Sequence, residues 1–178
     1  MSYGAISFSG ITKAGRFDEQ ILAGRKRQTI RKPRKDNRVH VKPGYTTKLY
    51  WKMRSPKKCY LIGVAMVEAY ERITLIQMWE DTDNAKADGF QDLEEFRDWF
   101  LPEWRDPIVG RIVDILYENE WYHQGAVSNL DDSPAMSVVV SFGRQFGKTT
   151  SVRAAEKLLS PLYRIKWRYP LESVTCSG

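Results

Sequence analysis

The sequence predicts an α+β fold: a small β-barrel with flanking helices, and a helical and β insertion before the last strand. Three observations lead there. Short runs rich in β-branched and aromatic residues recur between Gly and Pro turns, as in AISFSG (5–10), KPGYTTKLYWKMR (42–54) and LYRIKWRYP (162–170). Two or three segments of helical periodicity sit between those runs, which describes a mixed barrel. The chain has 178 residues, of which 42% are apolar and 12% aromatic, enough to bury the core of one domain of ordinary size.

Taken in order, AISFSG is the first short strand. FDEQILAG (17–24) places Phe17, Ile21 and Leu22 at helical spacing, with Gly24 as the C-cap. RQTIRK is extended and is closed by Pro33. After the Pro43-Gly44 turn comes TTKLYWKMR, then the SPKK turn (55–58), then the long apolar strand or bent pair CYLIGVAMVEAYERITL (59–75). TLIQMWEDTDNAKADGFQDLEEFRDWF is helical with a break at Asp88-Gly89, its second helix running from about Leu93 to Phe100. Pro102 and Pro107 frame the next break, and PIVGRIVDILYENEW is an amphipathic helix carrying Ile108, Ile112, Ile115 and Leu116. NLDDSPA is a loop, MSVVVSF a buried strand and SVRAAEKLL a further helix. The expected organisation is therefore a barrel formed by residues 1–101 with 162–170, interrupted by an insertion at 102–161.

Charge narrows the partner class. Residues 1–58 hold sixteen Lys or Arg against three Asp or Glu, a net of +13, whereas residues 59–178 hold twelve against nineteen, a net of −7. Such asymmetry points to one face built for polyanions, with nucleic acid as the favoured partner. The plainer alternative is a solvated surface that balances the acidic half. No run of 18 apolar residues spans a membrane, and MSYGAISFSG lacks the charged and apolar regions of a signal peptide. Cys59 and Cys176 are isolated thiols, and His40 and His123 have no partners at metal-ligand spacing. We therefore expect a cytoplasmic protein with no metal and no cofactor.

The most basic stretch, RFDEQILAGRKRQTIR, resembles the signature of the ASCH domain, a PUA-like barrel. The family pattern G-x-K-x-x-T-x-R is met by Gly24, Lys26, Thr29 and Arg31. The KPGYTTKLYW strand, the acidic segment AKADGFQDLEEF and the late Tyr163, Ile165 and Trp167 follow in family order. The closest likeness is to the small ASCH proteins that hydrolyse N4-acetylcytidine. It covers residues 5–101 and 162–169 and leaves out the block between them.

The residues have a chemistry of their own. A threonine hydroxyl becomes a nucleophile when a base takes its proton, and a lysine serves if its pKa is lowered. Crowding Lys26 among Arg25, Arg27 and Arg31 would favour the neutral amine. In an extended segment Lys26 and Thr29 would lie on opposite faces, so a turn or bulge after Gly24 is required. The resemblance implies that Lys26, Thr29 and a carboxylate form a catalytic set. That carboxylate is a glutamate in the amidohydrolases, whereas the matching position here is Asp88, one methylene shorter.

A nucleic-acid-binding set is expected from Arg25, Arg27, Arg31, Lys32, Arg34, Lys48 and Lys52, with Tyr50 and Trp51 stacking on bases. Each candidate has a plainer reading: Lys26 and Arg31 as phosphate contacts, Thr29 as a strand residue, Asp88 as turn chemistry and the aromatic residues as core. The expectation is an ASCH module that binds RNA, single-stranded nucleic acid or a modified nucleoside. The alternative is an amidohydrolase acting on N4-acetylcytidine, and nuclease activity is a remoter one.

SVVVSFGRQFGKTTSVRAAEKLL reads as strand, glycine loop and helix, with Gly147-Lys148-Thr149 where a P-loop has GK[ST]. The first glycine of that motif falls on Phe142, and only Glu156 and Glu172 follow as acids, without the apolar strand that a magnesium site needs. The R-Q-x-G-K-T-T run resembles the divergent Walker A of phage terminases and hints at a viral source. Short of hydrolysis, Lys148 and the helix N-terminus would bind a phosphate; the plainer reading is a simple glycine turn.

Overall fold

In a computed structural model, residues 2–36, 38–119, 134–146 and 148–169 are described. Strands β1 (Ser2–Phe8), β2 (Ile11–Thr12) and β3 (Gly15–Arg16) lead into helix α1 (Phe17–Leu22), followed by β4 (Gln28–Arg31), β5 (Thr46–Trp51) and β6 (Tyr60–Ile73). Helices α2 (Thr82–Ala87), α3 (Leu93–Phe100), α4 (Pro107–Glu118), α5 (Pro134–Phe146) and α6 (Lys148–Leu159) precede the last strand, β7 (Leu162–Arg168). The chain is thus α+β. Five of its strands form one curled half-barrel sheet in the order β1-β5-β6-β7-β4, and β2 pairs with β3.

In this sheet β1 runs parallel to β5, while β5 with β6 and β7 with β4 are antiparallel. Alternation sets which side chains fill it. Thr47, Leu49 and Trp51 of β5 are buried, as are Ile6 and Phe8 of β1 and Ile165 and Trp167 of β7. The edge strands β1 and β4 are joined by a side chain: the Arg31 guanidinium donates to the Ser7 carbonyl at 2.6 Å. Charged hydrogen bonds of this kind contribute about 1.5–3 kcal/mol.

The chain divides into two compact units, one of Met1–Glu71, Lys86–Gln91 and Tyr163–Gly178, the other of Arg72–Ala85 and Asp92–Leu162. Residues 72–85 and 92–101 group with the second unit. Pro102 stands in the break between the end of α3 at Phe100 and the start of α4 at Pro107. It opens a 3-10 turn, Pro102–Arg105, that packs back on α3, with Trp104 Nε1 donating to Asp98 at 2.7 Å.

Within the second unit α4 is capped by Asp106, which accepts from the Ile108 N–H at 2.8 Å, and Pro107 follows at the first helical position. Its buried Val109, Ile112, Val113 and Leu116 form a single stripe, and Ala154, Ala155, Leu158 and Leu159 form the matching stripe on α6. Helices α4, α5 and α6 pack on one another.

The expected strand MSVVVSF is instead the body of α5. Val139 and Gly143, four apart, are buried, while Ser137, Val138 and Ser141 are exposed. That is the period of a helix, and packing on α4 and α6 overrides the β propensity of three valines. The P-loop reading loses its strand with this correction. Gly147 lies outside the described residues, as do most of NLDDSPA, His123 and Cys176.

Candidate functional site

The basic motif starts where α1 stops. Phe17, Gln20 and Ile21 anchor the helix in the interior, and Gly24 turns the chain with φ +70°. The Arg25 and Lys26 N–H groups both donate to the Gln20 carbonyl, at 2.9 and 3.1 Å. Arg27 then bridges two segments, donating to Ala87 O at 2.9 Å and accepting from Trp167 N–H at 3.0 Å. The turn required after Gly24 is therefore present, and Lys26 sits before the strand rather than in it.

This turn sends Lys26 inward. Its side chain is 1% exposed, its ammonium lies 4.1 Å from the centre of the Phe17 ring, and it donates to Asp88 Oδ1 at 2.5 Å and to the Asp88 carbonyl. Asp88 is equally buried and also accepts from the Ile30 N–H, with the Arg31 charge nearby. One carboxylate is thus tied to motif positions 26, 30 and 31. Thr29 lies in the same segment, 6% exposed and opposite Ile165 of β7.

Burial is the leading influence on this pair and works against charge on both members. It pushes the Lys26 amine below the ordinary lysine value, with Asp88 opposing and Arg31 adding to the shift. It pushes the Asp88 carboxyl up, against the opposing pull of Lys26, Arg31 and the Ile30 N–H. The sequence assigned the lysine shift to three crowding arginines. Arg25 and Arg27 are exposed and contribute nothing to it, so desolvation takes their place and only Arg31 of the three adds.

A cavity of about 880 Å³ opens on the first unit. Its floor is Ala5, Ile6, Ser7 and Ser9 from β1 and the turn after it, with Ile165 of β7 and Arg31 of β4. One wall is the loop after β4, bringing Arg34, Lys35, Asp36 and His40; the other follows β5, bringing Lys52, Met53, Arg54 and Ser55. Five cations therefore face one carboxylate. Asp36 is already committed, since both its oxygens lie 3.0 Å from the Arg34 guanidinium. Arg31 belongs to the cavity and to the surroundings of Asp88 alike, which makes it the link between the cleft and the buried pair.

Of the expected binding residues, Arg31, Arg34 and Lys52 line this cleft, whereas Arg25, Arg27, Lys32, Lys48 and Tyr50 do not. Lys48 and Tyr50 project from the face of β5 opposite to Trp51. Trp51 is 4% exposed, with the Arg16 guanidinium 4.7 Å from its ring centre, so it is a core residue and offers no stacking surface. Arg54, which the sequence sets beside Lys48 and Lys52 as a phosphate-binding cation, also lines the cleft, whereas Lys35 and His40 were missed. Lys35 stands in the same charge run as Arg34, and membership of that run was the available signal. Among the described residues no group of His, Cys, Asp and Glu is placed to hold a metal, and no helix is long and apolar enough to cross a membrane.

A curled α+β half-barrel with a cationic cleft, backed by a buried lysine–carboxylate pair, is the class that fold and site define. No protein-family model, curated protein or solved structure matches the chain.

Proposed function

We propose that the chain is a PUA-like module of the ASCH kind that binds RNA, another single-stranded nucleic acid or a nucleoside-bearing ligand in the cleft beside Arg31. The observation that carries this reading is the five-to-one excess of cations over carboxylates in a single cavity, at the mouth of a sheet whose motif residues face inward. Its size falls within the range of about 300–1,000 Å³ over which small ligands are enclosed. Phosphate neutralisation there releases counterions, so affinity falls with salt at a slope of about −0.7 per phosphate contact on a single strand. Titration of a single-stranded RNA at several salt concentrations tests this, and affinity independent of salt sinks it.

A second reading, amide hydrolysis at the exocyclic nitrogen of an acylated cytidine, is favoured by the Lys26–Asp88 pair. In that reaction the Lys26 ammonium first passes a proton to Asp88, and the amine so formed takes the Thr29 proton as the threonine oxygen attacks the acyl carbon. The cytidine nitrogen leaves with a proton handed on through Asp88, and water then frees the acyl group as its acid. Release of acetate from N4-acetylcytidine by the wild type, and its loss in Lys26→Ala, is the test; no acetate from either protein leaves the binding reading alone.

A further inference from the structure

We infer that the ligand of the cleft presents a terminal phosphate, a phosphomonoester carried by a nucleotide or by the end of a strand; this rests on the binding reading above. Three observations carry it. First, the cations of the cavity differ in commitment. Arg34 is held by Asp36, and Arg31 donates to the Ser7 carbonyl. Lys35, Lys52 and Arg54 form no ion pair among the described residues, although all three line the same cavity. Three cations that line one cavity and form no ion pair match a dianion better than the single charge of an internal phosphodiester.

Second, Lys52 is the one non-glycine residue among those described with a left-handed backbone, φ +46°. Its N–H donates to the Phe8 carbonyl at 2.7 Å, which pins the conformation. Backbone strain of this kind clusters at ligand clamps and other functional sites. Here it belongs to a cation of the cleft.

Third, the cavity contains no Phe, Tyr or Trp, so the stacking platforms of a strand-tracking groove are missing from its lining. Arg25, Arg27, Lys32 and Lys48 lie outside it and do not extend its charge into a lined track. Ser7, Ser9 and Ser55 add hydroxyl groups among its lining side chains.

The test is calorimetric titration of the full chain with cytidine and with cytidine 5′-monophosphate, inorganic phosphate serving as competitor. A single-stranded oligonucleotide with and without a 5′-phosphate is run beside them. The monophosphate is expected to bind at least about tenfold more tightly than cytidine, roughly the effect of one charged contact. Inorganic phosphate should displace it. Exposed Lys35 and Arg54, changed together to Gln, should erase most of the preference and leave the melting temperature in place. A matching preference for the phosphorylated oligonucleotide makes a strand end the source, and its absence makes a free nucleotide the source. Equal affinity for cytidine and its monophosphate, with no gain from a 5′-phosphate, overturns the inference and leaves the nucleic-acid reading standing. Failure of all four probes to bind overturns both.

Discussion

The Lys26 ammonium and the Asp88 carboxylate meet at 2.5 Å with side chains 1% and 4% exposed, in a pocket edged by Phe8 and Phe17. A pair this deep is weak evidence for stability as such, because desolvation of two ions offsets their attraction. Its value is conditional: each charge is tolerable only while the other is present.

That condition makes a prediction. Asp88→Asn strands a buried lysine and should cost about 3–5 kcal/mol, whereas adding Lys26→Met to it should recover a large part of the loss. The single variant also acquires a pH signature. With its counter-ion gone, Lys26 stays deprotonated in the folded state over a pH range where the unfolded chain still binds the proton, up to about pH 10.4. The unfolded state then holds more protons, so stability must rise with pH. Urea unfolding between pH 6 and 10 measures this, and a flat profile for Asp88→Asn would remove the buried-charge account.

Gly89 is predicted to be irreplaceable for two separable reasons. Its φ is +94°, and a Cβ there would stand 2.9 Å from Gln20 Oε1, 3.2 Å from Lys26 Cδ and 3.2 Å from the Phe17 ring. Gly44 has φ +80° and nothing within 4 Å of where a Cβ would stand, so it isolates the backbone part. Gly44→Ala should cost about 1–2 kcal/mol, and Gly89→Ala about 2 kcal/mol or more because Lys26 and Gln20 must also shift. Thermal unfolding of the two variants compares them; equal losses would mean that the crowding around Lys26 is relieved without effect.

These two sites show where sequence reading succeeds and where it stops. The end of α1 at Gly24, the limits of α3 at Leu93 and Phe100 and the stripe of α4 are local, written in glycine, capping and periodicity. The α5 segment failed because its valines favour a strand and only contact with α4 and α6 decides otherwise. The sequence singles out Lys26 but not the cause of its shift, since burial at 1% exposure depends on Phe8 and Phe17 folding over it. Trp51 and Lys52 are adjacent in sequence, yet one fills the core and the other lines the cleft, and only the turn at φ +46° separates their fates.

Lys52 should separate stability from binding. Lys52→Gly removes a left-handed strain of about 1–2 kcal/mol. It also gives up the contact of the ammonium with the Trp51 ring at 5.3 Å, and exposed contacts of that type contribute about 0.5–1 kcal/mol. Stability is therefore expected to hold level or rise slightly, while affinity for a phosphate-bearing ligand falls. Melting temperature and a binding titration on the same preparation check both halves. A variant that loses stability and keeps its affinity would mark Lys52 as structural.

Asp18 contributes to the acid sensitivity of the first unit. It is 1% exposed and accepts from Arg16 Nη2 at 2.6 Å, from Arg16 Nε at 3.1 Å and from the Tyr60 hydroxyl. Burial pushes its carboxyl up, but the hydrogen bonds from Arg16 and Tyr60 outweigh burial and hold it below the ordinary aspartate value. The folded state therefore binds its proton later than the unfolded chain as pH falls. Stability from this group is complete above the unfolded value of about 3.9 and is lost as pH drops from there through the lower folded value. Asp18→Asn cannot titrate, so its unfolding free energy should change less than that of the wild type between pH 5 and pH 2, with the two proteins converging at the acid end. Chemical denaturation across that range decides it: parallel profiles would mean that the Arg16 and Tyr60 contacts hold the protonated and ionised forms of Asp18 equally well.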